Sequence, residues 1–581
     1  MTLNFISDVF KLANSDHDKT VSPEKTIETF KKRCGAANLD ILEETKRIDN
    51  NRLGIPVYFS ICGHDAKKIT GTKKQMGKGV TPMLAKASAV MELGERFSLY
   101  SFIQNTDNFK YTTYDNVKNH AVLFEQIAKS VHEKSCEDLE ISRKIFSLLN
   151  LKWAKAYNIT RDKNILIPLD WFFMINEFNG SSAGNCNEEA ICQGASEVVE
   201  RHVSAIIAEK KPELSYIDHN SITNPITIEL IEKFKKSGIK LYINDFTLNT
   251  GIPTIGVLAF DPKTFPQTSE IVWTAGTSPC PDKALTRALT EVAQLAGDFN
   301  TASNYVASGL PKFTNLQQAD FIINPFNNKN CKIVKLDDLP DLSKINIKNE
   351  IYGITRALNI NNFDLITLNI TNKKLLIPAF YTIIPGTNFR ERAENSSIAM
   401  FASKHIFENN SPFKALKELK KISQLLPLKY YIEFYQGLCH ISLENSDKAL
   451  KHLESSLELN PAFQDLATIY SYAGVCLKNM GKYKKAISIL KKGLNTDNER
   501  DDIYNLMGFC NFKLKKHEKS IKCFEKVLEI KPGSGIDYAN IASNHRELGN
   551  IKKAIDYYEI ALAMDSNITF ARENLKKLKN M

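Results

Sequence analysis

Two stretches 105 residues apart carry reactive side chains at the same spacing. Ser88, Glu92, Glu95 and Arg96 stand at i, i+4, i+7 and i+8, and Gln193, Glu197, Glu200 and Arg201 repeat those positions. A third set, Arg287, Glu291 and Gln294, repeats i, i+4 and i+7, and Glu189 lies one turn before Gln193. At 3.6 residues per turn each set forms one stripe on a helix. The other faces are apolar or small: Ala87, Val90, Met91, Leu93 and Phe97 in the first; Ala190, Ile191, Ala195, Val198, Val199 and Val203 in the second. Such a helix belongs in an interior, and a buried carboxylate stripe needs positive charge facing it. If the three helices converge, Glu92, Glu95, Glu189, Glu197, Glu200 and Glu291 crowd together and cannot all stay ionised without cations. Oxygen donors without thiolates select a hard ion, and magnesium is the natural choice. Arg96, Arg201 and Lys78 supply donors for the phosphate oxygens that magnesium commonly bridges to. One E-x-x-E-R segment is usually an exposed salt-bridge pattern; two on buried-looking helices, with a third stripe, are not.

The elements that must hold these groups are partly visible. Gly71–Gly79 reads as a glycine- and lysine-rich loop running into Thr81-Pro82, a cap residue and a first-turn proline. That places Lys78 in a loop at a helix N-terminus, where backbone N–H groups can meet an anion. A loop of small and amide residues, Asn179–Asn187, leads into the second striped helix. Helices are expected over 23–37, 82–104 and 281–299, and strands over 54–62, 240–244, 254–259 and 271–274. The mixture predicts an α+β domain over residues 51–395, preceded by an N-terminal helical segment, 1–50.

From residue 396 to 581 the pattern changes. Gly437, Gly474, Gly508 and Ala542 recur at intervals of 37, 34 and 34, and Ala449, Ala486, Ser520 and Ala554 keep the same intervals. A period of 34 with small residues at two fixed positions resembles the tetratricopeptide repeat, whose paired helices stack into an all-α solenoid. With a fainter unit at 396–429, five repeats are expected.

Composition bounds the rest. A chain of 581 residues, 43% apolar and 24% charged, is a soluble protein of several domains. Eleven scattered cysteines without a C-x-x-C pair argue for a reducing compartment and against structural zinc. No secretory leader and no long apolar run is present, so a cytoplasmic protein without a membrane segment is expected. The net charge of +10 has no aromatic-plus-basic motif behind it, which argues against nucleic acid.

Taken together, Ser88-x3-Glu92-x2-Glu95-Arg96, Ser182-x2-Asn185-x3-Glu189-x7-Glu197-x2-Glu200-Arg201 and Arg287-x3-Glu291-x2-Gln294 resemble the nucleotide-binding signature of YcaO-domain proteins. Gly77-Lys-Gly-Val-Thr-Pro82 and Ile384-Pro-Gly386 add to the likeness, which covers about residues 50–390. The resemblance implies ATP and Mg2+ as cofactors. The six glutamates named above would hold the metal. Lys78, Ser88, Arg96, Ser182, Asn185, Gln193, Arg201, Arg287 and Gln294 would position the nucleotide. It also implies ATP-dependent activation of a backbone amide. No stripe residue is a covalent nucleophile, so the substrate, a sulfur donor or an accessory protein supplies it. Without a proline-rich C-terminal tail or a fused leader-binding domain, thioamide formation or an accessory role in ribosomal-protein methylthiolation is expected ahead of azoline formation by a cyclodehydratase. The repeats would grip the protein substrate. A nucleotide-binding scaffold without turnover is the alternative from a different class, and a homo-oligomer stays open.

Overall fold

The computed structural model describes all residues except 1–5, 13–17, 133–138, 297–298, 300–312, 314, 324–331, 390–395 and 581. The chain divides into two compact units, one of residues 1–134 and 150–396, the other of 135–149 and 397–581. The first 50 residues thus belong to the same unit as the α/β region that follows. Among the described residues no helix is long and apolar enough to cross a membrane.

The first unit is built on three sheets, and each ends in an edge strand that leads into one striped helix. Strand Lys74–Lys78 closes the three-stranded sheet and leads into helix Pro82–Gln104. Strand Ser181–Ala183 is the edge of the six-stranded sheet and leads into helix Asn187–Lys210. Strand Val272–Thr277 is the edge of the five-stranded sheet and leads into helix Pro281–Ala296. Each connection is three residues long: 79–81, 184–186 and 278–280. Gly71–Gly79 and Asn179–Asn187, read from sequence as loops, therefore each contain a strand, and Lys78 ends a strand. Glycine, lysine and serine disguised these strands, because an edge strand with one partner needs no apolar alternation.

Counted from its first residue, each helix carries its stripe in one register. Position seven is Ser88, Gln193 and Arg287; position eleven is Glu92, Glu197 and Glu291; position fourteen is Glu95, Glu200 and Gln294; position fifteen is Arg96, Arg201 and Leu295. Positions four and eight are small, Ala85 and Ala89, Ala190 and Gly194, Ala284 and Ala288, so each helix can lie close on its lead strand. A Cβ on Gly77 would stand 2.0 Å from the Ala89 nitrogen, and one on Gly276 would stand 2.2 Å from the Ala284 oxygen. The second lead strand has Ser182 at this place, and Gly194 makes the room: a Cβ there would stand 2.7 Å from the Ser182 hydroxyl. Away from the stripes, Val90, Leu93 and Phe97 pack on Phe30, Ile41 and Cys62, while Leu285, Leu289 and Val292 pack on Ile255, Val257 and Val272.

The second compact unit is helical throughout. Five helix pairs run from Ile398–Asn409 with Pro412–Leu425 to Gly535–Glu547 with Ile551–Met564, followed by helix Thr569–Lys579. Gly437, Gly474 and Gly508 face Leu453, Leu490 and Phe524 of their pair's second helix, which explains the small residue at that repeat position. Helix Leu139–Phe146 packs on the first pair, a placement the sequence did not suggest.

Gly77→Val and Gly276→Val should each force the lead strand off its helix, lowering Tm by at least about 5 °C and costing about 2 kcal/mol or more. Gly35 lies in helix Pro23–Ala37 with nothing within 4 Å of where a Cβ would stand, and Gly35→Ala should be neutral or slightly stabilising. Thermal unfolding of the three variants checks the contrast.

Candidate nucleotide and metal site

The three stripes meet, and each lead strand makes a contact to the stripe of another helix. Lys78, ending the first lead strand, forms an ion pair with Glu291 of the third helix. Thr277, ending the third lead strand, donates its backbone N–H to Glu200 of the second helix at 3.0 Å. Ser181, opening the second lead strand, donates its hydroxyl to Glu95 of the first helix at 2.5 Å and accepts from Arg96 at 3.1 Å. The contacts run first to third, third to second and second to first, and so close a ring. Arg287 adds a bond across it, donating to the Gln193 side chain at 2.6 Å.

Within the ring the cations pair locally. Arg96 reaches Glu95 at 3.1 Å and Glu92 at 3.6 Å; Arg201 reaches Glu197 at 3.7 Å and Glu200 at 4.0 Å. The Arg201 Nε is buried and has no hydrogen-bond partner among the described residues. Five carboxylates face four cations here, in a half-buried cluster with little water to screen them. Burial pushes the Glu95 carboxyl up to about 8; Arg96 opposes the shift, and Glu197 and Glu92 add to it. Burial also raises Glu92 and Glu197, with Arg96 and Arg201 pulling the other way. Burial takes Lys78 down to about 7, Glu200 opposing and Arg287 and Arg201 reinforcing.

Five of the sequence candidates lie outside the ring. Ser182 is buried and its hydroxyl donates to the Ala190 carbonyl at 2.7 Å. Asn185 donates its backbone N–H and its amide to Glu189, both at 2.9 Å, and accepts from the Thr26 hydroxyl. The other oxygen of Glu189 accepts from the Thr20 N–H at 2.6 Å and its hydroxyl at 2.8 Å. Burial would raise Glu189, but Lys19 and these donors outweigh it and hold the carboxyl below its ordinary value. Four donors fill its acceptor sites, so here it anchors the N-terminal segment to the second helix. Ser88 is exposed at the start of its stripe, and Gln294 is half-buried on its own.

Sequence reasoning missed Ser181 and the Thr277 N–H. A lone serine and a backbone donor carry no signature. It also missed Phe178, whose ring lies 4.1 Å from the Arg96 guanidinium and holds it over the cluster.

The donor set suits a hard cation, since every stripe ligand is oxygen and the cations beside them suit phosphate. Among the described residues no group of three or more His, Cys, Asp or Glu side chains converges closely enough to hold a metal. The carboxylates point instead to Lys78, Ser181, Thr277 and the arginines. Rotation of these side chains on fixed helices is what would turn them onto a shared ion.

A family model described as YcaO cyclodehydratase, ATP- and Mg2+-binding, matches residues 76–388. A tetratricopeptide repeat model matches 499–567, and a model described as anaphase-promoting complex, cyclosome, subunit 3 matches 462–527. An uncharacterised protein of Methanothermobacter thermautotrophicus is 24% identical over 389 residues, 64% of this chain and 95% of that one. The ribosomal protein S12 methylthiotransferase accessory factor YcaO of Escherichia coli is 26% identical over 268 residues, 42% of this chain and only 44% of that one. A solved heterocyclase in complex with substrate and cofactor aligns at TM-score 0.54 and 18% identity, over 66% of this chain and 54% of that one, and so shares the fold.

Glu95 titrates higher in the folded chain than its ordinary 4.5, so the folded state favours its proton. Its contribution to stability is greatest below about 4.5 and is lost as pH rises toward 8. With divalent ions chelated, Glu95→Gln should gain over the parent between pH 5 and pH 8, by up to about 1.4 kcal/mol per pH unit at the steepest. Equal Tm differences at both pH values would contradict this.

Proposed function

The chain belongs to the YcaO family, and from that premise we propose that its three striped helices bind Mg–ATP and use it to activate a backbone amide of a protein or peptide. The observation that carries the reading is the closed ring of lead-strand contacts, which brings carboxylates distant in sequence to one place. Glu92, Glu197 and Glu291 occupy position eleven of their helices, and Glu95, Glu200 and Gln294 position fourteen. Oxygen ligands repeated at two positions suit magnesium ions bound along a polyphosphate. Glu189 joins them only if it releases its Thr20 and Asn185 donors.

Bound there, Mg–ATP supplies the phosphoryl group that makes an amide oxygen a leaving group. The protein's part is electrostatic. Arg96, Arg201 and Arg287 offer planar donors to phosphate oxygens, and the half-buried position limits screening by water. Phe178 keeps the Arg96 guanidinium flat and oriented. Ser182 ties the second lead strand to the second helix, and Asn185 joins the start of that helix to the N-terminal segment. No stripe residue is a nucleophile, so an external group attacks the amide carbon.

A sulfur donor as that group gives a thioamide, and an accessory role in methylthiolation of a ribosomal protein is the closely related reading; the repeat unit, suited to holding a protein, favours both. The family description as a cyclodehydratase keeps azoline formation as the second reading. The mass of the modified product separates them: exchange of oxygen for sulfur against loss of water.

ATP turnover by the full chain should require Mg2+, and Glu92→Gln or Glu200→Gln should lower kcat/KM by about 100-fold or more. Glu188→Gln, on the same helix but bonded to Ser7 outside the ring, should stay within about threefold. Turnover unchanged in both ring variants would refute the assignment.

A further inference from the structure

The chain's positive charge is concentrated in its repeats. Residues 397–581 hold 29 lysines and arginines against 21 aspartates and glutamates, eight of the ten net charges. Charge of that kind is commonly a solvated surface. One cluster differs from the rest. Lys478, near the end of helix Phe463–Asn479, and Lys513, ending helix Asp501–Lys513, place their ammonium groups 5.4 and 5.5 Å from the centre of one ring, Phe509. That ring is 38% exposed, and Tyr483 meets it edge-on at 6.4 Å. Among the described residues neither lysine has a carboxylate partner, and it is the shared ring that sets these two apart from the other lysines of the repeats.

Each ammonium group beside this ring lacks a carboxylate, and the ring's negative face offsets its charge by only about 0.5–1 kcal/mol. An acidic side chain reaching either lysine neutralises that charge. An exposed phenyl ring beside it gains from covering by an apolar side chain. The lysines stand on the first helices of successive pairs, and these two helices pack on each other. A ligand touching both therefore runs along the stack, which an extended segment does.

We propose that Lys478, Phe509 and Lys513 dock an acidic extended segment of a partner protein, with Asp or Glu carboxylates at the lysines and a neighbouring apolar side chain on Phe509. The proposal rests on the reading of the repeats as the part that holds protein. It names the partner's chemistry as acidic, where the surface as a whole would accept any polyanion.

Fluorescence anisotropy with the full chain tests it. The probe is a labelled, C-terminally amidated peptide of roughly twelve residues alternating Glu with Leu or Phe. It should bind at least about tenfold more tightly than the same peptide with Lys for Glu, and more weakly as salt rises. Lys478→Glu with Lys513→Glu should lower affinity at least about tenfold, and Phe509→Ala should also weaken it. Lys485→Glu with Lys519→Glu, on the second helices, should change it less than about twofold. Equal binding of acidic and basic peptides, or full binding by the Lys478/Lys513 double variant, overturns the proposal. So does a preference for a uridylate oligonucleotide, or a need for a free C-terminal carboxylate. Mg–ATP binding is measured on the same sample. Peptide failure with ATP bound counts against this surface alone, and ATP failure with peptide bound counts against the nucleotide reading alone.

Discussion

Like charge crowded into a poorly hydrated place is the constraint on which the first unit depends. Burial drives Glu92, Glu95 and Glu197 of this half-buried cluster toward protonation, Glu95 most plainly. What makes the cluster tolerable is the ring of cross-contacts. Lys78, Arg96, Arg201 and Arg287 each lie beside a carboxylate or amide of the stripes, and Ser181 and Thr277 add neutral donors. Buried polar clusters of this kind are strong when satisfied and costly when any member is removed. The sheets serve that requirement by bringing three edge strands to the same place.

The same local motif does this three times. A strand, a three-residue link and a helix with small residues at positions four and eight place positions seven, eleven and fourteen at equal distances along each helix. Equal registers put a glutamate at position eleven of all three helices and at position fourteen of two. The third copy departs from the other two: Gln294 replaces a glutamate, Leu295 an arginine, and the arginine appears at position seven as Arg287. A site built from three copies needs only such single-residue differences to become asymmetric, as a linear triphosphate requires.

Much of this was legible in the sequence, and the reasons differ by element. The striped helices and the repeats were visible because periods of 3.6 and 34 extend over many residues. The helix expected over 23–37 is Pro23–Ala37, and the structure adds that Ser22 caps its start. The first two lead strands were not visible, because three to five residues containing glycine, lysine and serine look like loop, whereas the third was expected over 271–274. Strand Leu42–Arg47 was hidden by its charge, since it lies at a sheet edge with mostly exposed side chains. Ser182, Asn185 and Glu189 fit the spacing of a ligand set, yet in the structure they bond to their own chain. Spacing reports which face a residue occupies and says nothing of which neighbour arrives first. The placement of residues 139–146 with the repeats could not be read at all, because a helix of eight residues, about two turns, does not say which core it joins.

The central claim is that the three stripes form one site, shared by magnesium and nucleotide and held by glutamates from all three helices. Calorimetric titration of the full chain with a non-hydrolysable ATP analogue, with and without Mg2+ at matched ionic strength, tests it most directly. The account predicts affinity at least about tenfold higher with Mg2+, because the analogue's negative charge cannot approach five carboxylates without it. Binding of equal strength in the presence of a chelator, or none in either condition, would contradict it.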